Sequence, residues 1–288
     1  MLWLVRVALV TCSALLDGRD DEAAVASLLV AEHRSWDDPG VDWASYDRVV
    51  IRSTWNYTAR VSEFLAWCDA VGPQRLRNRP DLVAFNADKR YLLELGVETV
   101  PTVVIGPGEP LPGLDGEIVV KPNISAGARD TGRFGPAVHG MARTLIKRIQ
   151  NSGRVALVQP YLSSVDQRGE TALVFLGGEL SHVLRKRAVL APDEIAPRAD
   201  GALAPAAAML REDLVTLGAA EPGELALAQR VMGAVSKRFD TPLYARVDLV
   251  TDTEGRPLLL ELEVIEPALY LDQSPGAPQR LANAIKSS

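Results

Sequence analysis

Cysteine is scarce in this chain: Cys12 and Cys68 lie far apart and form no CxxC pair. That argues against a disulfide framework and a structural zinc site, and it suits a reducing, cytoplasmic setting. Histidine is almost as rare. His33, His139 and His182 show no metal-ligand spacing, and no GxSxG elbow or Cys/His arrangement offers a nucleophile for covalent catalysis. Long apolar runs are missing too, so no segment reads as a bilayer span. The opening "MLWLVRVALVTC" is interrupted by Arg6 and has no basic segment before it, which makes it a first buried strand rather than a signal peptide. A net charge of −6 gives no general attraction to nucleic acid or to an anionic membrane. What remains is a small-molecule partner. The 288 residues, 47% of them hydrophobic, suffice for two or three lobes around a shared cleft.

The periodicity predicts an α/β protein. Val5 to Thr11 reads as strand, and "DDEAAVASLLVAEH" as a helix started by acidic residues, with His33 on its polar side. "DRVVIRS" is a second strand, and in "VSEFLAWCDAV" Val61, Phe64, Leu65 and Cys68 share one helical face. An open α/β lobe over residues 1–85 follows. A small mixed lobe over 86–158 comes next: Asn86 caps a short helix ended by Gly96, "VPTVVI" and "GEIVVKP" are strands, "GPAVHGMARTLIKRIQ" is a helix, and "RVALVQPYL" is a strand broken at Pro160. A larger lobe, 159–288, contains two hairpins, one turning at Gly177-Gly178 and one at "DTEG", with the helix "GELALAQRVMGAVSKRF" between them. The Ala- and Pro-rich stretch from Leu190 to Leu217 has little periodicity and reads as a surface segment or lid.

"LLLELEV", residues 258–264, sets two glutamates into an apolar strand. Residues two apart point to the same side, so Glu261 and Glu263 share one face and the leucines at 260 and 262 the other. Folding back at "DTEG" brings Asp248 beside Glu261, and three carboxylates then surround one point. Such a cluster suits a divalent cation with hard oxygen ligands. A half-exposed strand with its polar face in water shows the same spacing.

Other residues point to a bound nucleotide. Lys121 ends a strand before a loop of small residues, Ser125, Ala126 and Gly127, whose N–H groups can join the ammonium in holding phosphate. In "VQPYL", Pro160 stops the ladder and frees backbone groups at Gln159, Tyr161 and Leu162 to read the edge of an adenine. Ligands of open α/β sheets bind beyond the carboxyl ends of strands, which puts Arg52, Ser53, Trp55 and Tyr57 of "RSTWNY" where a small molecule sits. Arg52 suits a carboxylate in bidentate fashion; packing between lobes is the plainer role for Trp55 and Tyr57.

Taken in order, these pieces resemble the ATP-grasp superfamily of carboxylate-amine ligases over nearly the whole chain. The resemblance implies a nucleotide enclosed between two lobes, with ATP and Mg²⁺ as cofactors. It assigns phosphate contacts to Lys89, Lys121 and the loop Ser125 to Gly127, and an adenine hinge to Gln159, Pro160, Tyr161 and Leu162. Asp166 lies just past that hinge, within reach of ribose hydroxyls. Metal ligation falls to Asp248, Glu261 and Glu263, the last standing where the superfamily usually has asparagine. Of the basic run Arg185, Lys186 and Arg187, Arg185 and Lys186 are the candidates for stabilising the transferring phosphoryl group, although alternation puts them on opposite faces. "VIRSTWNY", "FNADKRYLLEL", "GGELSHVLRK" and "LELEVIEPALYL" are similar to the branch that contains the O-ureido-D-serine cyclo-ligase. That likeness implies ATP-driven ring closure of O-ureido-D-serine to D-cycloserine. An intermolecular ligase and a nucleotide-binding protein without activity are the alternatives, and a homo-oligomer is compatible with either.

Overall fold

The computed structural model describes residues 5–18, 22–197 and 205–288. The first sheet is parallel. Strand β1 (Val7–Thr11) leads through helix α1 (Ala23–Leu29) to β2 (Glu32–Ser35), and β3 (Arg48–Ile51) through α2 (Val61–Val71) to β4 (Leu76–Arg77), in the order β2-β1-β3-β4. The acidic Asp20 and Asp21, expected to start α1, lie outside the described residues. Helix α1 is shorter than its periodicity predicts: Val30 adopts a left-handed conformation at its end, and the chain turns into β2. His33 therefore sits on a strand, not on the polar side of a helix.

Helix α3 (Pro80–Asn86) leaves this lobe with Pro80 in its first turn, where a missing N–H costs nothing. Asn86 caps no helix. Asp88 caps the 3-10 turn Lys89–Leu93 instead, and the Asn86 side chain pairs with the backbone of Leu262 (2.8 Å) and Val264 (3.2 Å).

The second sheet contains β5 (Val103–Ile105), β6 (Ile118–Pro122), β7 (Gly132–Phe134) and β8 (Ala156–Pro160), backed by α4 (His139–Asn151). Ala142, Leu145, Ile146 and Ile149 recur at helical spacing on α4 and are buried against this sheet. The short helix α5 (Ser164–Arg168) then leads to β9 (Glu170–Leu176) and β10 (Glu179–Lys186) of the third sheet, joined by the expected two-glycine turn. Gly177 and Gly178 both have positive φ, and a Cβ on Gly178 would lie 2.6 Å from Thr241 Cγ2. Strand β11 (Glu194–Ile195) crosses back to β7, so the smaller sheet draws on residues beyond 158. Strand β12 (Val215–Leu217) pairs with β10. The supposed irregular stretch from Leu190 thus holds two strands; its residues 198–204 lie outside the described ones.

Helix α6 (Pro222–Phe239) starts with a capping box between Glu221 and Glu224 and buries Leu227, Val231 and Val235 under the third sheet. Each such side chain contributes about 1.5–3 kcal/mol. Strands β13 (Tyr244–Thr251) and β14 (Pro257–Glu263) complete that sheet in the order β12-β10-β9-β13-β14, before the final helix α7 (Ala277–Ser287). No helix among the described residues is long and apolar enough to cross a membrane.

The first and third sheets are bolted together. The Tyr244 hydroxyl donates to Ile51 O at 2.6 Å and lies 2.9 Å from Ile265 O, while Asn78 Nδ2 donates to Tyr244 O and Val264 O. These ties hold the "RSTWNY" segment against the end of β14.

Candidate active site

A cleft of ≈ 360 Å³ lies where the three sheets converge. One wall is the hairpin of β13 and β14. Its register pairs Asp248 with Glu261, as the turn at "DTEG" predicts, and Arg246 with Glu263. A bulge at Leu260 breaks the strict alternation: Leu259 and Leu262 are both buried in the core, whereas Leu260 lines the cleft with Glu261. The leucines at 260 and 262 therefore do not share a face.

Three carboxylates do not converge on one point; among the described residues no group of three metal-ligating side chains is drawn together. The protein's own cations stand between them, because bare carboxylates repel. Lys186 Nζ reaches Asp248 Oδ2 at 2.7 Å and Glu170 Oε2 at 2.9 Å. Arg246 Nε and Nη2 donate to Asp248 at 2.8 and 2.9 Å, and Nη2 also bonds Glu263. Lys89 lies 3.2 Å from Glu261.

These pairings set the protonation states. Burial opposes the charge on Asp248, but Arg246 and Lys186 outweigh it and hold the carboxyl well below its usual range. Burial likewise opposes the charge on Glu261, and Lys89 and Lys121 overcome it. Burial raises Glu263 to about 7, against the pull of Arg246, and Glu266 to about 8, with Glu263 adding to the rise.

The opposite wall is the smaller sheet. Lys121, on β6, is 7% exposed. Burial pushes its pKa down, and its ammonium has no salt bridge or hydrogen bond among the described residues. Lys89 Nζ donates to Ser125 O at 2.6 Å, bracing the small-residue loop. Gly127 in that loop has a φ of +61, and a Cβ there would meet Pro205 Cβ at 2.7 Å, so glycine is required. Ala206 N–H donates to Gly127 O, tying the loop to the segment that covers the cleft.

Several other sequence-derived candidates line the cleft: Ser125, Ala126, Gln159, Pro160, Tyr161, Leu162, Trp55 and Tyr57. The backbone N–H of Tyr161 is not free, since Glu117 O accepts it at 2.8 Å; pairing with β6 continues past Pro160. Leu162 keeps an N–H without a partner among the described residues.

Four candidates fall outside. Arg52, 1% exposed, is held by Pro267 O at 3.0 Å, by Glu22 at 3.6 Å and over the ring of Tyr244. Ser53 donates to Glu22. Both support the joint between the first and third sheets, because the strand end they follow is covered by the chain after β14. Asp166 is gripped by both Arg133 Nη atoms at 2.9 Å and by the Tyr161 hydroxyl, away from the cleft. Arg185 turns to Thr171 and Glu224 on the far face of β10, while its neighbour Lys186 faces the cleft. Alternation forces that split. Arg187 is exposed and pairs with Asp213.

The sequence reading missed Arg246, Glu170, Arg129 and Glu266, all of which line the cleft. Arg246 stands two residues before Asp248 on one strand, and Glu170 directly opposite Lys186 in the β9–β10 register, so period-two spacing could have found both. Arg129 donates to Thr58 Oγ1 and Trp55 O, linking the phosphate-side loop to the first lobe; no local pattern signals that. Glu266 follows the strand and carries no signal either.

Comparison with known proteins agrees with this geometry. Residues 7–78 match the family described as D-cycloserine synthetase DcsG, N-terminal domain. Cycloserine biosynthesis protein DcsG of Streptomyces lavendulae is 36% identical over 274 residues, 89% of this chain and 88% of that protein. The crystal structure of D-cycloserine synthetase DcsG superposes with a TM-score of 0.84 at 31% identity, covering 98% of both chains. D-alanine–D-alanine ligase from Bacillus anthracis shares the fold at 14% identity, with a TM-score of 0.66 over 98% of this chain and 96% of that one. A three-sheet cleft with lysines on one wall and an acidic hairpin on the other, set beside a relative of this identity and coverage, places the chain in the DcsG family of ATP-dependent ligases, built on the ATP-grasp fold.

Proposed function

We propose that the protein closes the ring of an O-ureido-D-serine-type amino acid, driven by ATP, to give D-cycloserine. The substrate carboxylate attacks the γ-phosphorus, ADP leaves, and an acyl phosphate forms. The nitrogen bonded to oxygen in the same molecule then attacks the acyl carbon and expels phosphate. Closing the ring within one molecule gains from proximity, because both reacting groups arrive together. The carbamoyl group on that nitrogen is lost by hydrolysis, as carbon dioxide and ammonia.

The observation that carries this reading is the opposition of Lys89 and Lys121 to Asp248 and Glu261 across one cleft. The lysines hold the phosphates, and Lys121, without a salt bridge or hydrogen bond among the described residues, gains a partner when a triphosphate enters. The cleft lining carries five acidic and five basic side chains, so an added triphosphate brings negative charge that a divalent cation can balance. Asp248 and Glu261 supply hard oxygen donors for Mg²⁺, while Glu263 is held beside them by Arg246. When bound, that cation neutralises charge on the transferring phosphoryl group. Lys186 and Arg246 sit beside the same carboxylates and can turn toward developing negative charge on the phosphoryl and acyl oxygens.

The test is ADP release with O-ureido-D-serine, ATP and Mg²⁺, alongside mass spectra of the product. Ring closure from a single amino acid with release of ammonia is expected. ADP release that requires two amino acids and yields a dipeptide would transfer the site to an intermolecular ligase. Glu261→Gln should lower turnover about 100-fold at saturating Mg²⁺, on the scale of losing one preorganised electrostatic group.

A further inference from the structure

Beyond the hairpin's last carboxylate the cleft lining continues to the first lobe, and two polar groups of that lining have no partner among the described residues. Glu266 follows β14 by three residues and lines the cleft. Its carboxylate has no ion pair and no hydrogen bond to another residue among those described, although Arg246 and Lys186 hold the carboxylates nearby. Tyr57, from the "RSTWNY" segment, is 5% exposed and lines the same cleft. Its hydroxyl, too, has no hydrogen-bond partner among the described residues. Of the charges acting on that hydroxyl, Glu266 is the strongest, followed by Glu263 and Glu261. Burial raises the Glu266 carboxyl to about 8, and an incoming cation at this end of the cleft is the partner that would hold it charged.

We propose that Glu266 and the Tyr57 hydroxyl form the subsite for the α-ammonium group of the amino-acid substrate. The inference rests on the ligase reading above and adds the group that reads the substrate's amine. The geometry assigns each end of the amino acid a place. Its carboxylate meets the cations Arg246 and Lys186, where phosphoryl transfer occurs. Its ammonium extends to Glu266, which offers the only cleft carboxylate without an ion pair or hydrogen bond among the described residues. Tyr57 stays a neutral hydroxyl, since burial and then Glu266 hold its pKa well above the usual value, and it accepts from the ammonium or donates to Glu266. The joint of Tyr244 and Asn78 fixes the first lobe against the end of β14 and so sets the spacing of the two groups.

The amine requirement separates this role from metal ligation or proton abstraction by Glu266. Two readouts keep the failure of the subsite apart from failure of the ring-closure reading. ADP release with O-ureido-D-serine tests the reaction. Calorimetric titration of the protein, loaded with a non-hydrolysable ATP analogue and Mg²⁺, tests the subsite directly, using D-serine and its deaminated counterpart 3-hydroxypropanoate. Wild type should prefer D-serine by about 10- to 100-fold, the range for a hydrogen bond to a charged group. Glu266→Gln should abolish most of that preference while leaving nucleotide affinity and 3-hydroxypropanoate affinity unchanged. Tyr57→Phe, which removes one oxygen from an otherwise preserved ring, should erase part of it. In turnover, both variants should raise KM for the amino acid more than they lower kcat. Wild type binding the two acids equally, or Glu266→Gln keeping the preference, overturns the proposal; so does a loss confined to kcat. Should Glu266→Gln fail to fold, an unchanged preference in Tyr57→Phe overturns the shared subsite on its own.

Discussion

The two walls of the cleft treat buried charge in opposite ways. On the hairpin wall Asp248 holds Arg246 and Lys186 at salt-bridge distance, and the network is closed before any ligand arrives. On the wall formed by β6, Lys121 is buried without a salt bridge or hydrogen bond among the described residues. A closed network is rigid and stabilising only as a unit, since removing one member strands the rest. An unpaired buried cation costs stability, and it marks where an anion is to be received. One wall is structure that also serves chemistry; the other gives up stability to bind.

The largest expected effect comes from breaking the closed wall. Asp248→Asn leaves Lys186 and Arg246 facing a neutral group and should cost about 3 kcal/mol, read from the urea unfolding midpoint. Lys121→Met sharpens the contrast by moving two quantities in opposite directions. Nucleotide affinity should fall about 10- to 100-fold, while the unliganded protein gains about 1 kcal/mol because an unpaired buried charge is gone. If the variant is destabilised, Lys121 belongs to a closed network after all. A third effect concerns pH. Burial pushes the Glu266 carboxyl up to about 8 in the folded protein, from about 4.3 when unfolded. The folded state then binds more protons between those values, so this group makes stability fall as pH rises through them. Glu266→Gln should flatten that slope and gain on wild type from pH 5 to 8, as followed by thermal unfolding at several pH values.

Much of the cleft was legible because strand geometry is local. The "DTEG" turn fixes the pairing of Asp248 with Glu261, and alternation along β10 separates Arg185 from Lys186. The same rule could have supplied Arg246 and Glu170. It failed at Leu260, where a bulge adds a residue that no periodicity announces. Arg52 and Asp166 were misplaced for another reason. Each sits on a segment that points toward the cleft in sequence logic, but a distant group claims its side chain: Pro267 and Glu22 for Arg52, Arg133 for Asp166.

The sequence by itself determined β1, β3, the two hairpins and the line of charge on β14, because these depend on side-chain alternation and turn chemistry within a few residues. Only the tertiary structure decided which charges remain unpaired. Tyr57 and Glu266 are more than 200 positions apart, and their place in one cleft depends on how the first sheet docks on the third through Tyr244 and Asn78. Docking is settled by packing and burial summed over the molecule, and no short stretch of residues encodes that sum.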